Sequence, residues 1–480
     1  MSVVIIRSSF RDLCNFRMDA KDIINKLRRG FRKGKTRSYD FRIQQLNQFD
    51  LMLKENEDLI CDALYKDLHK NKHEVLFTTI LIIRNHLSVI VNNLKKWMLP
   101  ECVEKDWVQS INSAYVVREP YGIVLIISSW NYPIQLSLIP LMGAIAAGNV
   151  AILKPSPISL SSTALLAKLI PKYLDNDCFA VIEGDSEQTS ALLKEHKFDH
   201  IMFTGSSGVG KLVMKAAAEF LTPVTLELGG KSPAILLSDC DVEIAAKRIL
   251  WGKFSNCGQI CLSPDYLICQ GFNTRDSFIK VAKELLIKFY GGDPKSSDSY
   301  GRIINKFHFD RIKGLMEDCE IAHGGKFDEV ELYIEPTILV NVNIDAPIMR
   351  EEIFGPLLPI IVIENVGSII ELINNGEKPL VLYLFTDDSS VQNKIISETS
   401  SGGVCMNDVF MHYTYEHLPF GGVGNSGMGK YHGRYSFEQF SNSKACLKTS
   451  LWFEAINDMR YPPFSEKKTK WLSFLMRKKV

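Results

Sequence analysis

The order of apolar and polar positions divides the chain into one helical stretch and two alternating ones. Between residues 20 and 100, "FRIQQLNQFDLMLKENEDLICDALYKDL" (41–68) keeps apolar residues at i, i+3, i+4 spacing over several turns. That spacing predicts amphipathic helices. "VEKDWVQSINSAYVV" (103–117) has no such stripe and reads as strand-like pieces. From 118 onward, short apolar runs ("VAILK", "FAVIEG", "HIMFTG", "VTLELGG") alternate with helical segments ("SLSSTALLAKLIPKYL", "EQTSALLKEH", "GVGKLVMKAAAEF"). This alternation predicts a parallel, doubly wound sheet. A second alternating run begins after 230 with "SPAILLS", "VEIAAKRILWGKF", "YLICQG" and "DSFIKVAKELLIKFYG". It continues through "LLPIIVIENV", "SIIELINNG" and "LVLYLFT" and predicts a second α/β unit.

One stretch imitates a membrane span. No charged residue occurs from Tyr121 to Leu153, a run longer than the ~20 residues that cross a bilayer. Asn131, Pro133, Gln135, Pro140, Gly148 and Asn149 punctuate it. The expectation is a buried strand over 122–127, a turn, a helix to Ala147 and a second buried strand over 149–153. Parallel strands covered on both faces give continuous apolar runs of this kind.

Composition then narrows the class. The chain has 480 residues, 46% hydrophobic and 23% charged, with a formal net charge of +1. Nothing in that balance calls for nucleic acid. The 11 cysteines are scattered and odd in number, which points to a reducing compartment rather than a disulfide framework. At the start, Val3 to Ile6 is too short for a signal-peptide core, and Asp12 argues against a mitochondrial presequence. Met18 opens "MDAKDIINKLRRGF", which reads as the beginning of the folded region.

Three fragments carry candidate chemistry. "HIMFTGSSGVGKLV" sets Gly205, Ser206, Ser207, Gly208, Val209 and Gly210 between a strand and a helix. Glycines there let a backbone approach a phosphate at a helix N-terminus. The pattern is GxxGxG, so a plain tight turn is the competing reading. A Walker A loop is excluded because Leu212 follows the Gly-Lys pair. "TLELGGKSP" puts Glu227 at the C-terminal end of an apolar strand, where a buried carboxylate is either a general base or a turn cap. "FSNCGQICLSP" spaces Cys257 and Cys261 four apart. No histidine lies near enough for a zinc site, and CxxxC is not the thioredoxin spacing. A nucleophile and an ordinary core cysteine both remain open for this fragment.

Taken together and in order, "SSWNYP" (128–133), "LKPSP" (153–157), "FTGSSGVG" (203–210), "LELGGKSP" (226–233), "GQIC" (258–261), "EEIFGP" (351–356) and "LPFGGVGNSGMG" (418–429) resemble the aldehyde dehydrogenase superfamily. "FRIQQL", "DLHKN", "SETSSGGV" and "YPP" resemble its class 3 branch, which includes fatty aldehyde dehydrogenases. The resemblance runs from about Met18 to Pro463.

It implies an α/β fold with a Rossmann-type cofactor domain (18–102 and 118–228) and an α/β catalytic domain (229–427). It further implies a small bridging β-sheet for oligomerisation (103–117 and 428–450), between an N-terminal extension (1–17) and a C-terminal tail (451–480). The implied activity is NAD- or NADP-dependent oxidation of a medium- or long-chain aliphatic, or aromatic, aldehyde to its acid. Cys261 is the implied nucleophile, Asn131 the oxyanion donor together with the Cys261 backbone N–H, and Glu227 the base that activates water. Lys154, the turn 205–210, Glu352 and Phe354 are the implied cofactor contacts, with no metal. Where many relatives read Lys-Pro-Ser-Glu, this chain reads Lys154-Pro155-Ser156-Pro157, which removes a carboxylate that would repel a 2′-phosphate. Cys257 has no implied role.

A homodimer is expected, in the cytoplasm or peripherally on the endoplasmic reticulum or another intracellular membrane. The tail "KKTKWLSFLMRKKV" is either a flexible basic end or a short amphipathic anchor. Two other functional readings compete: a non-catalytic structural or binding protein on this scaffold, and a thiol esterase. The joint presence of Cys261, Glu227, Asn131, Lys154 and Glu352 argues against the first, and the cofactor motifs argue against the second.

Overall fold

The computed structural model describes residues 19–105, 112–452 and 454–476. The 1–17 extension and part of the 103–117 segment therefore lie outside the described residues. The N-terminal helices Ala20–Arg32, Tyr39–Glu55, Glu57–Leu68 and Leu81–Trp97 follow the apolar spacing of the sequence and bury it. The helical run 72–97 is long and apolar enough to cross a membrane by composition. Its Ile83, Leu87, Ile90 and Leu94 are buried in the protein core, while Phe77 and Leu81 on the same run are exposed.

The first sheet has six strands in the order Gly427–Met428, Val224–Leu228, His200–Gly205, Ile123–Ile127, Val150–Lys154, Phe179–Val181. All pair in parallel except the antiparallel edge strand Gly427–Met428. The strand order reverses beside Ile123–Ile127, with chain-later neighbours on both sides. Ligands in such sheets bind in the crevice outside the carboxyl ends at this switch point. The uncharged stretch 121–153 is the centre of this unit. Strand Ile123–Ile127, helix Pro133–Ala147 and strand Val150–Lys154 are buried throughout. Pro133 starts that helix where a missing N–H costs nothing, and Gly148 ends it in the left-handed region (φ 89°). A Cβ on Gly148 would lie 2.3 Å from the Arg42 guanidinium, so the N-terminal helices dock there only against glycine.

The second sheet has seven strands in the order Glu320–His323, Thr337–Val340, Leu357–Ile363, Tyr266–Gln270, Pro233–Leu236, Val381–Phe385, Gly403–Met406. A third sheet joins Glu101–Cys102, Ser113–Pro120 and Ser441–Lys448, all antiparallel. The tail folds into a helix over Glu466–Met476 and leaves Trp471 and Phe474 exposed.

Candidate active site

Asn131 sits on the turn that leaves the central strand Ile123–Ile127, and it is buried. Its side-chain amide donates to the Gln259 carbonyl at 3.0 Å. Its own carbonyl accepts from Lys70 Nζ (3.2 Å) and from Asn256 Nδ2 (3.1 Å). An amide nitrogen has two hydrogens, so one remains free beyond the bond to Gln259.

Cys261 lies on the connection between helix Val242–Phe254 and strand Tyr266–Gln270. This connection is bent sharply: Asn256 and Cys257 both hold left-handed backbone (φ 49° and 52°). Such conformations are costly for side-chain-bearing residues and persist only where surroundings enforce them. Here Gln259 enforces the bend. Its amide nitrogen donates to the Asn256 and Arg302 carbonyls, and its oxygen accepts from Ile304 N–H, each at 3.0 Å. Asn256 Nδ2 also reaches the Gln259 carbonyl at 3.1 Å. Cys257 points into the core beside Gly301, whereas Cys261 is partly exposed.

Glu227 is the penultimate residue of the strand Val224–Leu228, and neither carboxylate oxygen has a hydrogen-bond partner among the described residues. Asn131, Glu227 and Cys261 together line two adjoining cavities. One, of about 1040 Å³, extends over Ser206, Ser207 and Gly208 to Glu352 and Phe354. The other is narrow and walled largely by apolar side chains, among them Phe77, Ile82, Trp251, Leu380, Phe410 and Phe420.

Burial governs the protonation of the site. It raises the Glu227 carboxyl well above the usual carboxylate range, with Lys430 opposing. It also raises the Cys261 thiol. Glu352 and Glu227 add to that rise, while the backbone N–H groups of Cys261 and Leu262 oppose it. Glu352 is pushed up to about 8, first by burial and then by Asp265, against the Gly230 N–H that bonds it. The Glu352 loop is fixed from below. Lys231 pairs with Asp265 and donates to the carbonyls of Ile348 (2.9 Å) and Glu351 (3.0 Å), while Asp265 accepts from Ile353 N–H (2.9 Å). Glu352 lies so close to Gly229 that a Cβ there would come within 2.0 Å of its carboxylate.

Ser206 caps the helix Ser207–Ala218 by accepting from Val209 N–H, which leaves the helix start facing the larger cavity. Gly208 has open space where a Cβ would stand, while Gly210 packs on Leu228 below the helix. Val209 and Gly210 do not line that cavity, and neither does Lys154. The Lys154 ammonium is turned to the carbonyls of Gly184 (2.5 Å) and Pro155 (3.2 Å). Sequence reasoning alone misses Lys70, Asn256, Gln259, Gly229 and the aromatic wall. Asn256 and Gln259 were in view inside "FSNCGQICLSP", but left-handed backbone at a non-glycine residue leaves no sequence signal.

The larger cavity suits a dinucleotide. It combines a helix N-terminus, an open glycine at Gly208 and a buried carboxylate at Glu352. The sequence comparisons point the same way. The model of the Aldehyde dehydrogenase family matches residues 15–446. Aldehyde dehydrogenase family 3 member B1 of Mus musculus is 46% identical over 459 residues, covering 96% of this chain and 98% of the relative. The "Aldehyde dehydrogenase, dimeric NADP-preferring" of Rattus norvegicus is 48% identical over 442 residues, 92% of this chain and 97% of the relative. A solved structure, "Substrate bound state of Staphylococcus Aureus AldH", superposes with a TM-score of 0.92 at 40% identity, covering 96% of this chain and 100% of that one. With a partly exposed cysteine, a buried carboxylate and an asparagine amide at the mouth of a dinucleotide-sized cavity, and relatives matching along nearly its whole length, the chain belongs to the aldehyde dehydrogenase family.

Proposed function

We infer that the protein oxidises an aldehyde to the carboxylic acid with NAD or NADP, with Cys261 as nucleophile. The carrying observation is that Cys261, Asn131 and Glu227 meet where the two cavities join. An aldehyde in the narrow cavity presents its carbon to the Cys261 sulfur, which releases its thiol proton to solvent and adds as the thiolate to give the thiohemiacetal. The free amide hydrogen of Asn131 and the Cys261 backbone N–H receive the oxyanion. NAD or NADP held in the larger cavity would supply the hydride acceptor, and Cys261 would then carry the acyl group as a thioester. Glu227 then takes a proton from water, whose oxygen attacks the thioester; the acid departs and the thiol is regenerated.

Around this centre, residues 18–102 and 118–228 form the cofactor domain and 229–427 the catalytic domain. The turn from Gly205 to Gly210 faces the pyrophosphate, with its Ser206, Ser207 and Gly208 in the cavity. Glu352 would hold the nicotinamide ribose hydroxyls, and Phe354 would stand beside the ring. Lys154 takes the adenosine ribose after turning from Gly184. The apolar wall favours medium- or long-chain aliphatic or aromatic aldehydes.

The antiparallel sheet carrying Ser441–Lys448 at its edge is the dimer-forming element, since an unpaired edge invites pairing with a second chain. The exposed Trp471 and Phe474, between lysines, give the tail a face for an anionic intracellular membrane. Light scattering of the wild-type chain tests the first statement, with a monomer as the contrary result. Vesicle co-sedimentation with and without 464–480 tests the second, with equal pelleting as the contrary result. The enzymatic reading is tested by cofactor reduction with a series of aldehydes in wild type and Cys261→Ser.

A further inference from the structure

Lys70 is among the most deeply buried charged side chains of the molecule, 1% exposed, on the short link between helices Glu57–Leu68 and Lys72–Val75. Lysines are almost never fully buried unless something compensates the charge. Its surroundings are specific. Nζ donates to the Asn131 carbonyl at 3.2 Å and stands 3.3 Å from the centroid of the Tyr132 ring. Glu74, which accepts from the Asn256 N–H, is the acidic group facing it; burial raises the Glu74 carboxyl, while Lys70 and that N–H oppose the rise.

These contacts close a ring. Lys70 holds the Asn131 carbonyl, the Asn131 amide holds the Gln259 carbonyl, and the Gln259 amide holds the Arg302 carbonyl. Arg302 N–H in turn donates to the Leu68 carbonyl at 3.0 Å, two residues before Lys70. His69, in left-handed backbone (φ 56°), turns the chain between them. Lys70 and Asn256 together occupy both lone pairs of the Asn131 carbonyl, so the 131–132 peptide has no freedom to rotate.

We propose that Lys70 is a positioning residue of the reaction. Its ammonium fixes the Asn131–Tyr132 turn, and through it the direction in which the Asn131 amide meets the oxyanion. The inference rests on the assignment of Asn131 as oxyanion donor. A buried charge is a poor way to gain stability, since apolar groups of similar volume often do as well or better. Its use here is directional: Lys70 touches the turn that carries the amide and one wall of the narrow cavity.

The test is a double-mutant cycle between Lys70→Met and Asn131→Ala in the full chain, with Lys70→Met/Glu74→Gln as a charge-balanced second variant. Lys70→Met is expected to lower kcat about ten- to a hundredfold while both KM values stay within about twofold. In the Asn131→Ala background the same change is expected to cost less than about threefold, because the group it acts through is gone. Equal losses in both backgrounds, wild-type kcat in Lys70→Met, or loss of cofactor binding in both Lys70 variants would overturn the proposal. Full kcat in Asn131→Ala alone would overturn the oxyanion assignment and this inference with it. A loss in Asn131→Ala with none in Lys70→Met would overturn this inference alone.

Discussion

The side-chain amide of Asn131 is tethered to the backbone carbonyl of Gln259, two residues before Cys261, at 3.0 Å. One hydrogen bond thus joins the turn at the end of a central strand of the six-stranded sheet to the loop that carries Cys261. On the proposed assignment, that bond ties the oxyanion donor to the loop of the attacking sulfur before the reaction begins, so little reorganisation is needed. Asn131→Ala is predicted to lower kcat about 100- to 1,000-fold with cofactor affinity unchanged. Steady-state kinetics and a cofactor titration check it. A fall in cofactor affinity alone would be the contrary result.

Glu227→Gln separates the two half-reactions. The carboxylate is assigned to water activation, so the first turnover is expected to survive and hydrolysis to slow by roughly 100-fold or more. Rapid mixing should show a burst of reduced cofactor near one equivalent per site, then slow turnover. Because burial raises the Glu227 carboxyl, the ionised base forms only as pH climbs above the ordinary carboxylate range. Wild-type turnover limited by hydrolysis should therefore rise with pH there, and the Gln variant should lose that limb.

Gly229→Ala probes the seat of Glu352. The added Cβ would meet the far end of the Glu352 side chain, not backbone, so the protein should fold while the carboxylate is displaced. Cofactor KM is predicted to rise roughly tenfold, the cost of one charge-assisted hydrogen bond, with a smaller effect on aldehyde KM.

Glu352 also predicts a pH dependence of cofactor affinity. In the free protein its carboxyl is neutral below about 8. On the proposed assignment, ribose hydroxyls donating to it would favour the ionised form, so binding should release a proton. Affinity should tighten as pH rises toward 8 and level above it, and Glu352→Gln should flatten the curve between about pH 6 and 9. Calorimetric titration in two buffers of different ionisation enthalpy measures the proton release directly.

Pro157 stands exposed just beyond the strand that ends at Lys154. On the proposed placement of the adenosine ribose, the absence of a carboxylate there would leave a 2′-phosphate unrepelled. Pro157→Glu should shift the kcat/KM ratio toward NAD and away from NADP; an unchanged ratio would remove position 157 from cofactor choice.

Much of this architecture was legible in the sequence, because strands buried on both faces and amphipathic helices leave different periods. The expected strand 122–127, the helix ending at Ala147 and the strand 149–153 match observed elements to within a residue. Gly427–Met428 was not legible as part of the cofactor sheet: two residues are too short to show a period. Cys261 could be told from Cys257 only through distant motifs, since spacing treats the pair alike. The structure separates them by burial, with Cys257 in the core and Cys261 at the cavity. Lys70 was invisible for a physical reason. A lysine after a helix reads as a solvated end charge, and only the fold reveals that it is covered by Asn131 and Tyr132.

The central claim is that Cys261 is the group that carries the substrate. Reduced cofactor should form when wild type or Cys257→Ser is mixed with an aldehyde and NAD or NADP, and should be absent with Cys261→Ser. A first turnover followed by mass spectrometry of Glu227→Gln should show an acyl adduct on Cys261. Cofactor reduction that persists in Cys261→Ser, or an adduct on another residue, would contradict the account.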